Sequence, residues 1–92
     1  MSANDRAQFE SNMLQFLQNE LEMGTTFASL ALDSRSDEKR YRNRQNARKA
    51  YDTAQHFLEE HAAGTAVAQP DLFLRLTQLR NLLVRLGEQF GE

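Results

Sequence analysis

Six apolar residues near one end of the chain, Leu72, Leu76, Leu79, Leu83, Leu86 and Phe90, follow one another at steps of 4, 3, 4, 3 and 4. An α-helix returns to the same face every three or four residues, so this alternation gathers all six into one dry stripe. Such a stripe has the spacing of a coiled-coil seam, and a helix that carries it must lie along other helices. The rest of the chain therefore has to supply those helices.

Its residues suit that demand. One proline and four glycines among 92 residues leave few places where a helix must stop. Asn4 and Asp5 offer an N-cap and a negative first turn, and Phe9, Met13, Phe16, Leu17, Leu21, Phe27, Ala28, Leu30 and Ala31 recur at helical spacing behind them. The pattern predicts a first helix over about residues 5–32. Asp33-Ser34-Arg35-Ser36 reads as a tight connection, with Ser36 as the next N-cap and Asp37 and Glu38 facing the positive end of a second helix dipole. That helix is expected over about 36–62, with Gly64 as its left-handed cap. Pro70 and Asp71 suit the first turn of a third helix, expected over about 70–90. Short connections make consecutive helices antiparallel. The expected fold class is thus all-α, an antiparallel up-down-up three-helix bundle with long first and second helices, formed as a single domain over residues 1–92.

A formal net charge of -2 argues against a general nucleic-acid or membrane-surface binder. The stretch RNRQNARKAYDTAQHF, residues 42–57, is the local exception, because six of the eleven basic residues lie just before or within it: Lys39, Arg40, Arg42, Arg44, Arg48 and Lys49. Arg40, Arg44 and Arg48 form an i, i+4 row, while Ala47, Tyr51, Ala54 and Leu58 form another, so charge and apolar pattern occupy different faces. One reading is a solvated face paired with Glu20 and Glu22 of the first helix. The alternative is a site for nucleic acid or phosphate along Lys39 to Lys49, for which Tyr41 and Tyr51 are the only nearby stacking residues.

Catalytic and metal-binding patterns are sparse. His56 and His61 are five apart and diverge on a helix, and His56 with Glu60 makes only two ligands. Glu59 and Glu60 diverge, as do Glu20 and Glu22, so neither pair is spaced for acid–base work. Ser11, Ser29, Ser34 and Ser36 have no evident base beside them, cysteine is absent, and Gly24-Thr25-Thr26 is a glycine inside a helical pattern rather than a phosphate loop. The expectation is a protein that is not an enzyme and takes no cofactor. The start MSANDRAQFESN lacks a secretory pattern and no segment has the length of a membrane span, so a cytoplasmic protein without membrane contact is expected.

Two segments resemble known proteins. Met23-Gly24-x-x-Phe27 and Ala47-x-x-x-Tyr51-x-x-Ala54 resemble the small-and-large packing signature of tetratricopeptide (TPR) helix hairpins over residues 20–58. Gly24 and Ala47 are farther apart than in that motif, Glu20 stands where an aromatic is usual, and Glu59 stands where the closing proline would be. The resemblance implies a TPR-like hairpin in which Gly24 meets Ala47, and a role in protein–protein interaction. The string NARKAYDTA, residues 46–54, is similar to one in short bacterial proteins of no assigned function, which implies a bacterial source.

The function expected on these grounds is a small interaction or oligomerisation module with an unknown protein partner, or a homodimer; nucleic acid is disfavoured as a partner. An auxiliary subunit of an enzyme made elsewhere fits the same sequence. At 100° per residue, Phe73 and Val84 fall together on one flank of the third helix's seam, Leu82 falls on the other flank, and Leu74 points away. These four form the expected interaction surface.

Overall fold

A computed structural model describes residues 3–61 and 70–91. It contains three helices, α1 (Ala3–Asp33), α2 (Asp37–His61) and α3 (Pro70–Arg85), packed against one another as a three-helix bundle. The first helix starts earlier than the sequence suggests, which puts Asn4 and Asp5 inside its first turn. Ser36 caps α2 as expected: its Oγ accepts from the Lys39 N–H at 3.3 Å and its carbonyl from the Arg40 N–H at 2.9 Å. Pro70 opens α3 with Asp71 behind it. The expected Gly64 cap and the side chain of His61 lie outside the described residues.

The bundle is held by a core of Met13, Leu17 and Leu21 from α1, Ala47, Tyr51, Ala54 and Leu58 from α2, and Leu72, Leu79 and Leu83 from α3. Small residues let the backbones approach: Ala28, Ala31, Ala47, Ala50 and Ala54 are all buried. Gly24 sits where the three helices converge. A β-carbon built there would lie 2.6 Å from a Leu79 methyl and 3.1 Å from the Ala50 β-carbon. The nearest α2 atom is thus on Ala50, about one helical turn beyond the expected Ala47, and the close approach involves α3 as well as α2. The Phe16 and Phe57 rings meet at a tilt with centroids 5.0 Å apart, which agrees with an antiparallel α1–α2 register in which Gly24 faces Ala50. Among the described residues, no polar or charged side chain is buried.

The third helix ends at Arg85, five residues before the expected end at 90. Gly87 adopts φ +95°, the Gly87 N–H donates to the Val84 carbonyl and the Glu88 N–H to the Leu83 carbonyl, each at 2.9 Å. This is the paired 5→2 and 6→1 pattern that closes a helix on a left-handed glycine. The chain then leaves the helix axis, so Phe90 is not the last member of the leucine seam. Its ring meets Tyr51 edge-on at 5.0 Å and lies under two guanidinium groups, Arg48 at 4.1 Å and Arg80 at 4.9 Å.

Several apolar residues of α1 that recur at helical spacing are not in the core. Phe9, Phe16 and Leu30 are exposed, and Phe27 is half-buried. The buried line runs through Met13, Leu17, Leu21, Gly24, Ala28 and Ala31, whereas the exposed Phe9, Phe16 and Leu30, together with the exposed Met23, sit seven apart and to one side of it.

Candidate functional site

The basic residues of α2 divide into two groups on opposite sides of the helix. Arg44 donates to the Glu88 carboxylate. Arg48 donates through Nε to Asp52 at 3.0 Å and through Nη1 to the Gln89 carbonyl at 2.8 Å, and that same Nη1 lies 3.6 Å from Glu88. Arg40 donates to the Ser34 carbonyl at 2.9 Å. These arginines therefore serve the segment after α3 and the α1–α2 turn. Glu20 and Glu22, the expected partners, form no ion pair with the basic residues among the described residues. The acids that meet the row instead are Glu88, brought over α2 by the turn at Gly87, and Asp52 one turn along the same helix.

Lys39, Arg42 and Lys49 fall on the other side by helical spacing. Arg42 pairs with Glu38 at 3.1 Å, and Lys39 and Lys49 have no anionic partner among the described residues. Lys49 lines a shallow hollow of about 300 Å³ together with Glu20, Met23, Phe27, Asn46 and Thr53, at the outer groove between α1 and α2. A second depression of about 530 Å³ carries Tyr41, Arg44, Arg48 and Lys49, but also Asp52 and Glu88. The two carboxylates place negative charge in the depression that an anionic ligand would have to enter.

The four residues of the expected interaction surface separate. Phe73, Leu74 and Val84 are exposed, while Leu82 is half-buried and packs on the core. The flank with Phe73 and Val84 is therefore a free surface and the flank with Leu82 is not. A longer apolar surface lies on α1, where Phe9, Phe16, Met23 and Leu30 are 51%, 38%, 47% and 50% exposed. Three of these, Phe9, Phe16 and Leu30, belong to the helical apolar pattern of the sequence, which did not divide them from the residues that are buried. The signal that could have separated them was their uniform spacing of seven, distinct from the 4, 4, 3, 4, 3 steps of the buried line.

Other chemistry is confined to surface pairs. His56 lies 3.0 Å from Glu60 on the exposed side of α2, and no group of three His, Asp or Glu side chains comes together at metal-ligand spacing among the described residues. No helix among them is long and apolar enough to cross a membrane. Comparisons with family models, curated proteins and solved structures returned no match.

Proposed function

We propose that this chain is a small non-catalytic helical module that works by binding another protein or another copy of itself. The observation that supports this reading is the amount of large apolar side chain left outside a core that is already complete. The residues concerned are the Phe9, Phe16, Met23 and Leu30 line on α1 and the Phe73, Leu74 and Val84 group on α3. Isolated exposed apolar residues are ordinary on any surface, whereas aligned ones mark contact sites. The nucleic-acid reading draws less support, because Arg44 and Arg48 meet Glu88 and Arg42 meets Glu38, which leaves Lys39, Lys49 and the Ser34-bound Arg40 as the residues of the row without a carboxylate partner among the described residues.

Sedimentation equilibrium in the micromolar range, with affinity capture from the source cell beside it, tests the module reading. Association that persists at high salt and weakens when the exposed apolar residues are made polar is the expected result. Tight binding to RNA or DNA that collapses with added salt and with Lys39→Gln and Lys49→Gln would replace it with the nucleic-acid reading.

A further inference from the structure

We propose that the outer face of the α1–α2 hairpin joins two copies of this chain, with α1 of one copy running antiparallel to α1 of the other. The proposal deepens the interaction reading above and rests on it. Every large hydrophobic that is exposed on α1 belongs to one series, Phe9, Phe16, Met23 and Leu30, at intervals of seven residues. A line of period seven drifts by about 20° per heptad around a straight helix, and it stays in contact over its whole length only against another helix that winds with it. The occupant is therefore a helix laid lengthwise along α1.

The line fits its own copy. A two-fold axis between Phe16 and Met23 sets Phe16 against the second copy's Met23 and Phe9 against its Leu30, so all four members are engaged on both chains. Shifting the register by a heptad leaves members at the ends without a counterpart. Asn12, Asn19 and Thr26 occupy the positions between them, so no charge in that series is taken out of water. Direction follows from charge: α1 carries Asp5, Glu10, Glu20, Glu22 and Asp33 against Arg6 alone. A parallel pair brings Glu20 level with its own counterpart, whereas the antiparallel register sets it beside the second copy's Asn19. The same register brings Asp5 level with residue 34 of the second copy and hence, by the Gly24–Ala50 pairing, with the start of α2. Lys39 lies there without an anionic partner among the described residues.

The contact is also large enough. The line from Phe9 to Leu30 is about 32 Å long, and the two helices that border it present a face about 20 Å wide. That is on the order of 600 Å² on each copy, at the lower edge of the range for specific interfaces.

Sedimentation equilibrium on the full chain and on Met23→Lys/Leu30→Lys, with circular dichroism on both, provides the test. Both substituted residues are about half exposed, so helical content is expected to be kept while the dimer weakens about 30-fold or more. The chain has no cysteine, so single introduced thiols report the register. Asn19→Cys, beside the axis, is expected to form a disulfide-linked dimer under mild oxidation, and Asn12→Cys, displaced along the helix, to stay unlinked. A parent chain that is monomeric throughout the range overturns the proposal, as does a dimer that survives Met23→Lys/Leu30→Lys. A dimer lost instead with Phe73→Ser/Val84→Asn overturns this face while leaving the interaction reading standing. Equal cross-linking at positions 12 and 19 overturns the antiparallel register.

Discussion

At Gly24 the contact distances separate two kinds of neighbour. The Leu79 methyl at 2.6 Å is the end of a flexible side chain and can rotate away, whereas the Ala50 β-carbon at 3.1 Å is fixed to the α2 backbone. Alanine at position 24 gains about 1 kcal/mol of helix propensity and loses a comparable amount in displacing these neighbours. Leucine has no such balance, and Gly24→Leu is expected to destabilise by about 1–3 kcal/mol. Thermal unfolding followed by circular dichroism checks this, with a fall of several degrees in Tm for Gly24→Leu and a much smaller change for Gly24→Ala. An unchanged or raised Tm for Gly24→Leu would show that the helices do not converge there. The arginines of α2 give a second test. Arg40, Arg44 and Arg48 changed together to Gln would cost little if they were only a solvated face. Because Arg44 and Arg48 share the mostly buried Glu88 carboxylate, a loss of about 1–3 kcal/mol is expected instead, again read by thermal unfolding.

On the scale of single elements, α3 shows both what a periodic pattern conveys and where it misleads. Leu72, Leu79 and Leu83 are fully buried, as their spacing requires, and Leu76 and Leu86 are partly so. The helix end was not legible in the same way, because Phe90 continues the 4, 3, 4 rhythm and masks the stop. The stop was nevertheless written in the chain as Gly87, the residue type that tolerates φ +95°. Gly87→Ala is expected to destabilise by about 1 kcal/mol through that backbone angle, since space is open there apart from an Arg44 nitrogen at 3.6 Å. Gly87→Asn should cost less, as asparagine enters the left-handed region more readily; urea unfolding of the pair gives the order. The first helix was ambiguous for a different reason. It carries two apolar lines, one with steps of 3 and 4 and one with steps of 7, and both are helical. The denser line, with a small or apolar residue at every third or fourth position, is the one that can pack continuously against both α2 and α3, and the line of period seven is left outside. The Ser36 cap, by contrast, is local chemistry and was readable from four residues; Ser36→Ala is expected to cost about 1 kcal/mol, measured the same way.

Across the whole molecule, the Cα radius of gyration is 14.8 Å and the principal extents are 51 × 25 × 17 Å, a rod rather than a sphere. A compact globule of this length would have a radius near 12 Å. If two rods lie side by side with their α1 helices overlapping, the longest dimension of the pair stays close to that of one rod. Contact end to end would roughly double it, so small-angle scattering of the associated form distinguishes the two shapes. The rod also carries its own optical gauge. The chain has no tryptophan and two tyrosines, of which Tyr41 is 61% exposed and Tyr51 only 4%. Tyr51 lies where α2 meets the segment after α3, with the Phe90 ring against it and the Arg48 guanidinium 6.0 Å from its centre. With Tyr41→Phe in place, all tyrosine emission comes from that one junction, and its intensity reports whether the segment after α3 is seated on α2 or has come away from it.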